Sequence, residues 1–279
     1  MQKKSRSRFS GGRLIVYLVL LLGCVITLAP FLWMILTAMK TQVEAVSIPP
    51  SILPKHWDIS SFLTLPDKLP FFRMYWNTIL TAVIIVVGQL SLCSLAGYAF
   101  ARIQFPGRNF LFVLCLAVLM IPSSFLILPQ YLTIQKMGLL NTLRAIFLPN
   151  LFSAFGTFLM RQFFMAIPQE LEDAACIDGC SHGRIFLQVM LPLVKPGLVS
   201  LGVLTLRFAW NNLMWPMIVN TSPEKMTLAA GLSYLQGQYL TDYPSIMAGA
   251  LLSIIPLIII YAIFQKQFIE GIALTGIKG

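Results

Sequence analysis

Six apolar runs, each near or beyond the roughly 20 residues that cross a bilayer as a helix, govern what this chain can fold into. They lie at about 14–36, 76–100, 110–129, 143–165, 197–219 and 245–265. Lipid offers no partner to an exposed backbone donor or acceptor, so runs of this kind become helices rather than open strands. The fold class expected is all-α, a polytopic membrane protein with six transmembrane helices. Composition agrees: 57% of the residues are hydrophobic and 11% charged, against about 45–50% and about 25% in soluble domains. Arg161 marks the inner edge of the fourth run, and Arg144 falls in the loop before it. The charge left inside a span is then Arg207.

Basic residues orient the spans. With the N-terminus inside, twelve of the 20 Lys and Arg fall in the cytoplasm and seven outside. That bias, with the basic tail 1–13 beside the first span, follows the positive-inside rule and puts both termini in the cytoplasm. The net charge of +10 is thus a topology signal suited to anionic headgroups. No motif supports nucleic-acid binding. The first run is too long for a cleaved signal peptide, and no small-residue cleavage site follows it. Residues 14–279 therefore read as a single transmembrane domain of a multi-pass protein in a bacterial or archaeal cytoplasmic membrane. The segment 37–75, rich in Pro and interfacial aromatics, has no helical period and is expected outside.

The cysteines carry little. Cys24, Cys93 and Cys115 lie in spans as small hydrophobes. Cys176, Cys180 and His182 make an incomplete set for a metal, so no metal site is expected, and no catalytic residue either.

One stretch breaks the hydrophobicity: PQELEDAACIDGCSHGRIFLQVMLPLVKP, residues 168–196. It holds Glu170, Glu172, Asp173 and Asp178, four of the ten acidic residues. Pro168 followed by acids is a favourable helix start, and Leu171, Ala174 and Ala175 share a face. Gly179 can end that helix in the left-handed conformation, and Ser181 is a good N-cap for a second. Ile185, Phe186, Val189 and Met190 form an apolar stripe on the second helix, which Pro192 and Pro196 close.

The order acid, Ala-Ala, two residues, Asp-Gly, apolar run, Leu-Pro resembles the EAA loop of permease subunits from binding-protein-dependent ABC importers. Asp173 stands where that family usually has Glu. The stretch FAWNNLMWPMIV resembles the Trp-Asn segment of carbohydrate-importer permeases. The C-terminus, FQKQFIEGIALTGIKG, resembles the tail of the maltose-type second, smaller permease. The resemblance implies the type I ABC importer permease fold and a transport subunit rather than an enzyme. Implied partners are a second permease in a heterodimer, two ATPase subunits and an extracytoplasmic solute-binding protein. No cofactor is expected on this chain, which has no phosphate-cradling loop; ATP and Mg would be held by the separate ATPase.

The resemblance also assigns residues. Glu172, Asp173, Ala174, Ala175, Asp178 and Gly179 would couple to the ATPase, with the two acids carrying the electrostatic contact. Arg207, Trp210, Asn211 and Asn212, with Gln89 and Tyr98 as weaker candidates, would line the path, or Trp-Asn would instead lock span packing. The external loop Gly231–Gly237, with Tyr234 and Gln236 between its glycines, would reach the binding protein's cleft or merely cover the pore mouth. The tail at Gly276, Lys278 and Gly279 would sit between ATPase subunits. Rival readings are a membrane-embedded prenyl-transferase-like enzyme, which needs two acidic clusters, and a permease for a non-sugar solute such as glycerol-3-phosphate.

Overall fold

A computed structural model describes residues 11–237 and 241–276, with side chains described except at 11–14, 264 and 266–276. In chain order the main helices are α1 (Gly11–Ala38), α2 (Phe71–Arg102), α3 (Arg108–Ala117), α4 (Ser123–Lys136), α5 (Leu143–Phe147) and α6 (Ala154–Met165). There follow α7 (Glu170–Ile177), α8 (His182–Ile185), α9 (Lys195–Trp210), α10 (Met214–Val219), α11 (Leu228–Leu232) and α12 (Tyr243–Gly276).

Three of the expected spans are single helices long and apolar enough to cross a membrane: Ile15–Ala38, α2 and Tyr243–Ile263. Three further helix pairs pass the same test only when joined across a break, so the spans number up to six. This differs from six straight helices, and the residues at each break explain it. Arg108–Met120 and Ser123–Lys136 are bent by 103° where Pro122 follows an extended Ile121, the conformation a residue before proline prefers. Leu143–Asn150 and Ala154–Met165 are bent by 41°. There the Ser153 hydroxyl accepts the Gly156 N–H at 3.1 Å and starts α6 afresh. His182–Leu193 and Lys195–Trp210 are bent by 78°, with Pro196 in the first turn of α9. The expected fifth run, 197–219, is itself interrupted at 211–213 between α9 and α10.

Contacts divide the chain into two compact units. One takes in the residues up to Leu65 and Leu235–Leu252. In it α1 is exposed from Ile15 to Trp33. Lys40 beyond α1 is 2% exposed, with its ammonium 2.5 Å from the Ser51 carbonyl and 4.6 Å from the Trp33 ring centroid. The segment between α1 and α2 contains three short helices, Gln42–Ala45, Ser60–Leu63 and Leu65–Lys68, where none was expected.

The second unit, Pro66–Tyr234 with Ser253 onward, is built on α2. This helix buries its polar and small residues, among them Asn77, Thr78, Thr81, Gln89, Cys93 and Gly97. Val83, Val87, Leu92 and Leu95 face outward. That inversion suits a helix in lipid, where polar groups turn to protein partners and small residues allow close packing. Asn77 Nδ2 donates to the carbonyls of Glu224 and Met226 at 2.8 and 2.9 Å. The Thr78 hydroxyl accepts the Leu228 N–H at 2.7 Å. Together they fasten the last external loop to α2.

Along its inner half α2 packs on α6. A Cβ on Gly97 would lie 2.8 Å from Met160 Cβ and 2.9 Å from the Arg161 backbone nitrogen. Backbone cannot move aside as a side-chain tip can, so Gly97→Val is expected to destabilise by about 1–3 kcal/mol. Gly202→Ala, whose Cβ would meet Leu90 at 3.8 Å, is the near-neutral control. Thermal unfolding in detergent compares the two.

Candidate functional site

The loop that breaks the hydrophobicity folds as two helices joined by a tight turn. α7 begins after Pro168, and its first turn carries Glu170, Glu172 and Asp173, the sign that the helix N-terminus favours. Its end is a Schellman turn: Cys180 N–H donates to the Ala175 carbonyl at 3.0 Å, and Gly179 N–H to the Cys176 carbonyl at 3.0 Å. Gly179 has φ of +76°, a conformation that strains any residue with a Cβ. Ser181 occupies the N-cap of α8 as expected, in extended conformation, but its side chain makes no capping bond. The helix then widens to a π turn over Phe186–Met190. Pro192, with no N–H to return to the preceding turn, follows at once.

The two helices close on α2 and α6 through an apolar cluster. Ala175, Ile185, Phe186, Met190 and Val194 bury there with Cys93, Tyr98, Met160, Phe164 and Leu201. The expected stripe of the second helix is therefore its inward face, with Val189 at the cluster's edge.

α7 presents a different face from the one expected. Ala175 is 8% exposed and belongs to the chain's own core, so it does not offer a surface to another protein. Glu172 is 6% exposed and also points inward. Tyr98 O–H donates to Glu172 Oε1 at 2.7 Å, and Arg102 Nε lies 3.6 Å from Glu172 Oε2. Glu172 thus has its countercharge within the same chain, and of the two acids expected to face outward only Asp173 is exposed. What α7 turns out is an apolar ridge, Leu171, Ala174 and Ile177, flanked by Glu170, Asp173 and Asp178.

Arg102, at the end of α2, is the hub of this attachment. Besides facing Glu172 it donates to the Phe164 carbonyl at 2.7 Å, to the Ile167 carbonyl and to Gln169 Oε1 at 3.0 Å. One guanidinium therefore ties the end of α6, the approach to α7 and α7 itself to α2. A planar fork of five donors suits this role, and an ammonium does not. Tyr98 packs between Phe164 and Phe186, with ring centroids 5.5 and 5.2 Å away. It is a strut of the loop and not a path residue. In the sequence Arg102 counts only as one of the twelve cytoplasmic basic residues that orient the spans. The available signal was its position, an arginine ending a span whose buried face is polar.

The residues expected along the path divide. Trp210 is buried and its indole N–H donates to the Ser253 carbonyl at 3.0 Å, a packing role. Asn211 Nδ2 donates to the Arg207 carbonyl at 3.0 Å, and Asn212 Oδ1 accepts the Trp215 N–H at 3.4 Å. Both asparagines finish helix ends where α9 breaks before α10. Arg207 is exposed. Gln89 is buried, and it links the fourth-span break to α9 by donating from Nε2 to the Asn150 carbonyl at 2.9 Å and accepting from the Thr205 hydroxyl at 2.8 Å.

In the external loop, Gly231 is not a flexible tip. It lies in α11 against α2, and a Cβ there would come 2.1 Å from Met74 Sδ. Tyr234 is 48% exposed, and Gln236, next to Gly237, forms an isolated bridge with Thr241. Gly276 is the last helical residue of α12; Lys278 and Gly279 lie outside the described residues.

Comparison with known proteins identifies the arrangement. A family profile described as "Binding-protein-dependent transport system inner membrane component" matches residues 93–273, which take in Tyr98, Arg102 and the whole of α7. AraQ of Halalkalibacterium halodurans, an arabinooligosaccharides transport system permease protein, is 39% identical over 226 residues, 78% of this chain and 81% of that one. UgpE of Escherichia coli, an sn-glycerol-3-phosphate transport system permease protein, is 31% identical over 262 residues, 91% of this chain and 93% of that one. A chain of a bacterial ABC transporter involved in import of the acidic polysaccharide alginate, known from its crystal structure, superposes with a TM-score of 0.81. It is 24% identical and covers 96% of this chain and 100% of its own, so it shares the fold. This chain belongs to the family of binding-protein-dependent transport system inner membrane components.

Proposed function

We propose that the chain is a permease subunit of an ATP-driven carbohydrate importer in a bacterial cytoplasmic membrane, forming half of the translocation pore. The observation that carries this is α7. A short helix with an exposed apolar ridge and flanking carboxylates is fixed to two spans by one buried arginine, and so moves with them. Such a helix is a mechanical handle. A separate ATPase subunit that grips Leu171, Ala174 and Ile177, with its basic residues near Asp173 and Asp178, would shift α2 and α6 when it closes on ATP and Mg. Family membership implies that the ATPase and an extracytoplasmic binding protein are separate chains. A second permease completing a heterodimer, with two ATPase subunits inside, is the assembly that this reading requires.

Sugar as the solute is supported by the similarity to AraQ, and glycerol-3-phosphate by the similarity to UgpE. An enzyme acting on prenyl pyrophosphate is disfavoured by the site itself: Glu172 already faces Arg102, and among the described residues no second carboxylate cluster opposes α7. The test is capture of the tagged chain from its native membrane in mild detergent. An ATPase and a second permease should co-purify, with hydrolysis stimulated by the associated binding protein loaded with an oligosaccharide. Stimulation by glycerol-3-phosphate alone would move the assignment to that solute. Capture without any ATPase would refute the importer reading.

The tail belongs to the same proposal. Removal of 274–279 is expected to leave insertion and ATPase capture intact and to lower stimulated hydrolysis several-fold. A stimulated rate equal to that of the full chain would make the tail an ordinary terminus.

A further inference from the structure

Two hollows open on the faces of α2 and α9. The larger, about 370 Å³, is lined by aliphatic side chains such as Val83, Leu198 and Ile260; it offers no polar group to a solute. The smaller, about 270 Å³, lies where the fourth span breaks, between Asn150 and Ser153 on one side and Thr205 and Phe208 on the other.

Its depth follows from helix geometry. Thr205 is ten residues beyond Lys195 along α9, and Gln89 is thirteen before Arg102 along α2. At 1.5 Å per residue these are roughly 15 and 20 Å from the inner ends of the two helices, in the middle of a hydrocarbon core about 30 Å thick. Non-helical backbone at such depth persists only where protein buries it or where it lines a cavity. Gln89 uses both ends of its amide, on the Asn150 carbonyl and the Thr205 hydroxyl, and so holds the break in place.

Other groups at the break keep capacity to spare. Asn150 Nδ2 donates to the Ile146 carbonyl at 2.9 Å, and Ser153 Oγ accepts from Gly156 N–H. Among the described residues no bond engages Asn150 Oδ1 or the Ser153 hydroxyl proton. Two residues that line the hollow, three apart in sequence, therefore keep an acceptor and a donor to spare. Around them stand Phe152, Phe155 and Phe208, 47, 45 and 55% exposed. No lysine, arginine or carboxylate is among the lining residues, and a bare anion at mid-depth is costly without a partner charge.

We propose that this hollow is a solute contact made by the chain itself, and that it takes one ring of a neutral saccharide. The ring's C–H face lies against the Phe208 or Phe152 ring, and its hydroxyls donate to Asn150 Oδ1 and accept from Ser153 Oγ. The proposal rests on the importer reading and adds to it a residue set and a preference for uncharged solute.

The test uses the assembled importer in proteoliposomes, with arabinotriose, maltotriose and glycerol-3-phosphate as labelled probes. The double variant Phe152→Ala with Phe208→Ala changes exposed side chains. It is expected to assemble normally and to take up the neutral trisaccharide at least tenfold more slowly, with Phe208→Tyr near the intact rate. Undiminished uptake in the double variant overturns the proposal. A second measurement keeps it testable if that variant assembles poorly. Phe208→Cys, with the five native cysteines replaced by serine, should react with a maleimide more slowly when trisaccharide is present during turnover. Equal reactivity with and without sugar, or protection by glycerol-3-phosphate alone, overturns it. An intact importer that moves glycerol-3-phosphate and neither trisaccharide removes the saccharide assignment while leaving the importer reading in place. An intact complex that moves none of the three under ATP overturns the importer reading and this proposal together.

Discussion

Arg102→Ala should release α7 from the spans and abolish coupled transport. The side chains of Arg102 and Glu172 are 6 and 8% exposed, so removing the guanidinium strands a carboxylate away from water. Breaking a buried pair in this way costs about 3–5 kcal/mol, more than almost any single surface change. Three further acceptors, the Phe164 and Ile167 carbonyls and Gln169 Oε1, lose their donor at the same time. The apolar cluster of Tyr98, Phe164, Phe186 and Met190 does not depend on the charge. The spans should therefore still insert while the 168–181 segment becomes accessible to protease. Protease resistance equal to that of the intact chain would show that the cluster alone fixes α7.

The partner change separates charge from packing. Glu172→Gln keeps an amide oxygen that accepts from Tyr98 O–H and removes the buried negative charge. Adding it to Arg102→Ala is expected to recover part of the loss, because the stranded charge is gone, whereas independent sites would show additive costs. Arg102→Lys should rescue poorly. An ammonium cannot serve three acceptors and a carboxylate at once with the geometry of a guanidinium fork. Midpoints of thermal unfolding for the four proteins give the coupling, and a coupling near zero would mean that Glu172 and Arg102 are neighbours without consequence.

The long apolar helices α1, α2 and α12 and the Gly179 turn were legible because each depends on local chemistry: run length, or a glycine after a helical repeat. The orientation of α7 was not. Leu171, Ala174 and Ala175 make one acceptable stripe, and Glu172 with Ala175 makes another. The stripe that turns inward is decided by Arg102 and Tyr98, some 70 residues earlier in the chain. A glutamate is the last residue that hydrophobic patterning would send inside, since its burial requires a paired cation. The breaks were legible in part. Pro122 marks one. The break at Asn150–Ser153 is held by Gln89 reaching across from α2, itself braced by the Thr205 hydroxyl of α9. Trp210 and the two asparagines after it look like a sugar site by residue type, but Trp210 bonds to the Ser253 carbonyl of α12 and the asparagines satisfy helix ends at the break between α9 and α10.

The second large effect is expected on the outer face of α7, and the two adjacent alanines give it an internal control. Ala174 is exposed and Ala175 is 8% exposed, although both belong to the same small-residue pair in sequence. Ala174→Trp adds an indole to the ridge between Leu171 and Ile177 without entering the core. Its unfolding midpoint should match that of the unmodified chain, while ATPase capture falls at least tenfold, a loss of about 1.4 kcal/mol or more in association. Ala175→Trp instead drives the indole into the cluster with Ile185, Phe186 and Met190. Overpacking there costs about 1–3 kcal/mol, so the midpoint itself should drop. Charge reversal at Asp173 and Asp178 should act more weakly than bulk at Ala174, because exposed pairs contribute about 0.2–1 kcal/mol each and are screened by salt. The ordering expected in ATPase capture is therefore Ala174→Trp worst, then the double reversal Asp173→Lys with Asp178→Lys, then either single reversal, with only the charge variants improving at high salt, where the new repulsion is screened. Full capture by Ala174→Trp would show that the ATPase does not grip this ridge. The mechanical role would then have to pass through another surface of the loop, such as the exposed side of the second helix at Leu187.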